Sequence, residues 1–302
     1  MRRPLAALFV CSVSGLVAGC GGDDNAPSGS INPPGPPPAT LNFSMQFFGT
    51  GTGDIDRVKI PLLNPNGTTR PVNVGATDFT LEFWLKGAKL DNPSVPCTAG
   101  AIGKDAWTTG AVVIDRDVLG DGDFGEFGVA LFGGQVAFGV NRSSGGQTVC
   151  GARDVLDGAW HHVALTRERS TGTMTIFVDG GLDRSVVDPG ASQDVDYNPA
   201  HTNPAANDPF LVLGAEKFDV TTALAFHGLL DELRLSIGLR YLGTFSRPTG
   251  AFTPDGNTAA LYHFDESSGT VVTDASNSNA SPGVLIPAAS GAASHRSTDT
   301  PF

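Results

Sequence analysis

The chain has 302 residues, with 19 Lys and Arg against 31 Asp and Glu, a formal net charge of −12 with histidine neutral. That balance excludes nucleic acid and anionic membrane surfaces as partners, because both select clustered basic residues. The 39 glycines, 21 prolines and lack of any helical-period apolar pattern three turns long exclude a helical bundle.

Residues 1–19, MRRPLAALFVCSVSGLVAG, carry two arginines, an apolar run from Leu5 to Val17 and then small residues. The run is too short to span a bilayer and reads as a secretory signal. Leu16-Val17-Ala18-Gly19-Cys20 resembles the lipobox of bacterial lipoproteins. The resemblance implies that Cys20 is lipidated and becomes the first mature residue, with the lipid as the only membrane contact. That family marks inner-membrane retention with an aspartate after the cysteine; Gly21 stands there instead. Outer-membrane or cell-surface sorting is therefore expected. Loss of residues 1–19 removes two arginines and no acid, leaving 17 basic against 31 acidic side chains, or −14.

Residues 20–41 include GGDDNAPSGSINPPGPPPAT, which has almost nothing apolar to bury and reads as an extended tether of up to about 60 Å. Residues 42–287 suit one large all-β domain. Residues 288–302 are again poor in core side chains and are expected to be disordered.

Within the domain the period is two. Asp56 is in phase with Val58 and Ile60; Phe79, Leu81, Phe83 and Leu85 share one strand face, with Thr80, Glu82, Trp84 and Lys86 on the other. Residues 128–132 and 135–140 flank Gly133-Gly134, a two-residue hairpin signal. Thr173–Val178 alternates into the turn Asp179-Gly180, and further strands are expected at 210–214, 228–236 and 259–264. Short strands with turn residues between them predict an antiparallel sandwich or barrel.

Four cysteines occur: Cys11 lies in the signal and Cys20 at the lipobox, leaving Cys97 and Cys150. In an exported domain these two are expected to pair as a disulfide, the alternative being two free thiols. His161 and His162 are adjacent on one strand and so point to opposite faces; they are expected to be structural rather than joint metal ligands. Trp107, in a loop near Cys97, is the candidate for stacking on a sugar ring, or else a plug over a sheet edge. Asp231 shares parity with Leu229, Leu233 and Leu235, which places a carboxylate on the core side. Asp231 and Asp56 are the candidate ligands of a structural calcium ion; the alternative for each is a cap on backbone N–H groups. The acidic run Asp115–Glu126 fails the EF-hand pattern, because Leu119 occupies a ligand position. It reads as a solvated hairpin connection, a second calcium loop being the alternative.

Four segments, FFGTGTGDIDRVKIP (47–61), DFTLEFWLK (78–86), DGAWHHVALTRERSTGTMTIFVDG (157–180) and FHGLLDELRLS (226–236) followed by ALYHFDESSGTVVTDASNSNA (260–280), together resemble the bacterial laminin-G-like domains of the concanavalin A-like lectin/glucanase superfamily. The resemblance implies a two-sheet antiparallel jelly-roll β-sandwich, and allows a calcium ion at its rim. It does not select among lectins, adhesins, glycosidases and lyases. Retaining glycosidases need two carboxylates about 5–5.5 Å apart. None of the six glutamates (82, 126, 168, 216, 232 and 266) has an aspartate two residues on. The expectation is a non-catalytic binding or adhesion module for glycans or glycoproteins. A glycoside hydrolase or polysaccharide lyase, and a ligand-free structural envelope protein, are the alternatives.

Overall fold

Alternation at period two gives strands, and a computed structural model of the chain describes residues 42–49, 55–118, 124–188, 190, 192–201, 209–218, 223–288 and 294–302. The signal segment, Cys20 and the tether lie outside the described residues. Within them the strands are β1 (Ser44–Phe48), β2 (Arg57–Pro61), β3 (Phe79–Gly87), β4 (Gly100–Gly103), β5 (Ala111–Asp115), β6 (Glu126–Phe132), β7 (Gln135–Arg142), β8 (Gly145–Asp154) and β9 (His161–Glu168). There follow β10 (Thr173–Val178), β11 (Gly181–Val187), β12 (Phe210–Leu213), β13 (Leu224–Ala225), β14 (His227–Ile237), β15 (Thr258–Tyr262), β16 (Val271–Val272), β17 (Gly283–Ile286) and β18 (Arg296–Ser297).

One sheet has the order β11-β10-β9-β3-β14-β1-β18, with β15 also on β14. The other runs β16-β17-β2-β12-β5-β6-β7-β8-β4. Pairing is antiparallel except for the short β13, which lies parallel to β5. The core is built from alternate residues of facing strands, Phe79, Leu81, Phe83 and Leu85 of β3 clustering with Phe127, Val129, Phe138 and Val140 of β6 and β7. Phe79 stacks on Phe127 at 5.5 Å and meets Phe138 edge-on at 6.1 Å. Gly133 and Gly134 turn the β6–β7 hairpin with φ of 57° and 99°, a left-handed pair that only glycine adopts without strain.

Two expectations need correction. Strand β14 does not keep one phase. Leu230 faces Leu85 and Asp231 faces Trp84, but Arg234 then faces Glu82, so a β-bulge inserts an extra residue. Glu232 takes it up at a φ of 51°. Leu230, Leu233 and Leu235 enter the core, whereas Asp231 lies in the row of Trp84 on the outer face. Uniform parity therefore put Asp231 on the wrong side.

The end of the chain is also not disordered where it is described. Arg296 and Ser297 pair with Met45 and Ser44 of β1, and His295 accepts the Gln46 N–H at 2.9 Å. Asp299 accepts from Trp160 Nε1 at 2.8 Å and from Lys86 at 2.6 Å, and Phe302 meets the Trp84 ring at 5.3 Å. An edge strand is held by backbone groups, so a scarcity of apolar side chains did not reveal it.

Candidate functional site

The outer face of the first sheet carries a groove of about 220 Å³. Its floor follows from register. Thr175 of β10 faces Thr166 of β9 on one side and Ser185 of β11 on the other; Phe177 faces Leu182. Because Met174, Ile176 and Val178 turn inward, these residues turn out. Thr175 and Ser185 hydroxyls lie 3.0 Å apart. Glu168 and Thr173 line one end, and Leu239, Tyr241, Leu242 and Gly243 form the wall.

That wall belongs to the connection between β14 and β15, residues 238–257, which has no helix or strand of its own. Buried polar groups fasten it. Glu82, fully buried on β3, accepts from the Tyr241 hydroxyl at 2.7 Å and from Arg234 at 2.8 Å, and lies 3.2 Å from His162 Nε2. Burial alone would raise the Glu82 carboxyl, but the His162 hydrogen bond, the Arg234 charge and the Tyr241 hydroxyl outweigh it and hold it below its ordinary value. Burial and the Glu82 charge push the Tyr241 phenol well up, so it stays a donor. Arg240 makes a two-pronged pair with Asp255 at 2.7 and 2.9 Å, and the Phe245 N–H reaches Gly180 O at 2.8 Å. One face of Tyr241 stacks on Phe245 with centroids 3.6 Å apart and planes within 10°. The ring is thus held by its hydroxyl and by one face, and it lines the groove.

A second cleft, about 290 Å³, is lined by His263, Asp265, Glu266, Thr273 and Ala275. Its charged groups tie the chain together. His263 Nδ1 lies 2.7 Å from Glu232, Asp265 accepts the Phe43 N–H at 3.0 Å, and Glu266 accepts the Thr273 N–H at 2.6 Å while facing Arg296 at 3.2 Å.

The residues singled out in the sequence fare differently. Trp107, the candidate sugar platform, is fully buried in a single 3-10 turn, Ala106–Thr109. It packs with Val112, Ala130, Phe132 and Ala137 and donates to Asp115 at 3.3 Å. Gly128 and Gly139 sit opposite each other on β6 and β7, and a Cβ at either would overlap the indole. The two glycines open the slot that takes Trp107 out of solvent, so it cannot meet a ligand. Tyr241, which does line the groove, was missed by sequence reasoning because residues 238–257 show no alternation.

Asp56 and Asp231 are not brought together. Asp56 accepts the Phe48 N–H at 3.2 Å and the Ala288 N–H at 2.7 Å, with His295 Nε2 at 3.4 Å, which is the capping arrangement. Asp231 accepts the Glu232 N–H at 2.8 Å through Oδ1. Its Oδ2 has no hydrogen-bond partner, and burial followed by the Glu232 charge pushes the carboxyl up to about 9. Burial also raises Asp105, Asp115, Asp117 and Glu126. The centre of the Asp115–Glu126 run, 119–123, lies outside the described residues. Among the described residues no three His, Cys, Asp or Glu side chains are grouped to hold a metal ion.

The adjacent histidines diverge. His162 is buried against Glu82, while His161 lies between Asp179 at 2.7 Å and Asp157 at 3.0 Å. Burial lowers His161, but hydrogen bonds to the two carboxylates outweigh it and raise the imidazole. Cys97 and Cys150 form a disulfide with Cα atoms 6.4 Å apart, an ordinary separation for such a bond.

No curated protein sequence matches the chain. Among solved structures, a Bacteroides ovatus protein assigned as carbohydrate-binding aligns at 16% identity and TM-score 0.51, covering 82% of this chain and 59% of its own. The chain thus spans under two thirds of that protein. A heptameric pentraxin of Limulus polyphemus (14% identity, TM-score 0.39, 72% and 94% covered) and domains LG4-5 of mouse laminin α1 (13%, 0.42, 70% and 48%) align at lower scores. The first alignment supports the two-sheet sandwich. Residues 64–238, more than half of the chain, match the laminin-G family described as the concanavalin A-like lectin/glucanases superfamily, and the protein belongs to that family.

Proposed function

We propose that the protein is an exported, lipid-anchored recognition module that binds glycans in the groove between β9–β11 and residues 239–243. The observation that carries this reading is the fixed Tyr241 ring standing over a floor of hydroxyls. Sugar rings offer apolar C–H faces and hydroxyl edges, which aromatic faces and Thr or Ser hydroxyls match. The carbohydrate-binding assignment of the Bacteroides ovatus protein agrees with it. The module is read as non-catalytic, because Glu168 is the one carboxylate among the described residues that line the groove, and glycoside cleavage uses two. The anchor rests on Cys20 alone; among the described residues no helix is long and apolar enough to cross a membrane.

The test is glycan-array binding of the wild type, Tyr241→Phe and Tyr241→Ala. Stacking is worth about 1 kcal/mol, so the alanine variant should bind about fivefold more weakly than wild type and the phenylalanine variant close to it. Binding that survives in both variants counts against the groove.

A further inference from the structure

We infer that the groove selects one uncharged sugar ring and rejects anionic glycans, with Glu168 as the residue that enforces the choice. This rests on the glycan reading above and names the ligand class of the same site.

Size is the first argument. At about 220 Å³ the groove falls below the range for drug-sized ligands, and suits a single ring with its neighbours in solvent. Leu182 and Leu242, 50% and 88% exposed, flank it and leave apolar surface for the C–H faces of that ring.

Charge is the second. Thr166, Thr175 and Ser185 form one cross-strand row, their strands about 4.8 Å apart. Hydroxyls donate and accept alike, so such a row complements sugar hydroxyls without favouring an ion. Glu168, the acid at the end of the groove, is held there by Thr171 Oγ1 at 2.6 Å and Ser170 Oγ at 3.3 Å. As a carboxylate it accepts from sugar hydroxyls and repels carboxylate or sulfate groups.

No compensating cation is available among the described lining residues. Arg240, beside the wall, is paired with Asp255, and Arg169, beside Glu168, is paired with Asp194 at 2.6 Å. Arg184 of β11 sits opposite Ile176, in the row that faces the sandwich interior. The net charge of −12 adds a long-range field of the same sign.

The experiment is native affinity electrophoresis of the purified protein and of Glu168→Lys, each checked by its melting curve. The gels contain neutral polymers (β-glucan, galactomannan, arabinoxylan) or anionic ones (polygalacturonate, alginate, chondroitin sulfate). The inference expects wild type to be retarded by at least one neutral polymer and at least tenfold less by every anionic one. It expects Glu168→Lys to gain retardation on an anionic polymer. Wild-type retardation by an anionic polymer as strong as by a neutral one overturns the inference and leaves the glycan reading standing. Neutral-only binding that Glu168→Lys does not change overturns the role of Glu168. No retardation by any polymer overturns both inference and glycan reading.

Discussion

The Tyr241 hydroxyl donates a 2.7 Å hydrogen bond to Glu82, so a residue of the groove wall is tied to the fully buried carboxylate at the middle of strand β3. The same carboxylate takes Arg234 at 2.8 Å, and His162 lies beside it at 3.2 Å. Glu82→Gln would leave Arg234 buried without its counter-charge, a loss of about 3–5 kcal/mol and of about 10 °C in melting temperature for a domain of this size. Because the folded Glu82 carboxyl is held below its ordinary value, its contribution is present above the unfolded value near pH 4 and fades as pH falls through the folded one. The gap between wild type and Glu82→Gln should therefore narrow below about pH 4. Equal melting at pH 7 would contradict this.

Asp231 has the opposite sign. Its carboxyl is pushed up to about 9 by burial and the Glu232 charge, so the folded chain keeps a proton that the unfolded chain loses near pH 4. Its contribution is full below the unfolded value and declines as pH rises toward about 9. Asp231→Asn keeps an oxygen for the Glu232 N–H and never ionises. Thermal melts should coincide below about pH 4 and separate by pH 8, with the asparagine variant higher. A gap that does not change with pH would refute the buried acid.

The Cys97–Cys150 bond closes a loop between residues 53 apart in sequence. In the chain-entropy treatment that stabilises by about 4 kcal/mol. Reduction should lower the melting temperature by about 10 °C; calorimetry with and without a phosphine reductant decides, and superimposable traces would reject a stabilising bond.

Gly139 stands where the Trp107 ring needs room. Gly139→Ala should cost about 1–3 kcal/mol through overpacking, and should expose the indole to iodide quenching that wild type resists. Unaltered stability and quenching would mean that Trp107 is not locked in its slot.

The sandwich was legible because alternate residues of Phe79–Gly87, Glu126–Phe132, Gln135–Arg142 and Thr173–Val178 enter the core, and a core face of that kind writes period two into sequence. The site was not. Tyr241 is placed by a connection held by scattered hydrogen bonds, the Arg240–Asp255 ion pair and a ring stack, none of which leaves a periodic trace. Asp231 was misplaced because a single inserted residue at Glu232 reverses parity, and no turn residue announces it. Sequence alone left Trp107 between a sugar platform and a plug, because the signal for its burial lies in Gly128 and Gly139, which meet it only in space.

The lipid anchor is tested apart from the groove. Cys20→Ala should move the protein from the membrane fraction to the soluble fraction on cell fractionation. Retention with the membranes would refute lipidation as the anchor.

The most direct test of the groove as the glycan surface is titration calorimetry of a bound glycan against Ser185→Trp. Ser185 is exposed on β11, outside the Glu82 network, and an indole there fills the groove without unpinning Tyr241. The account predicts an unchanged melting temperature with affinity lowered at least tenfold; full affinity in the folded variant would contradict it.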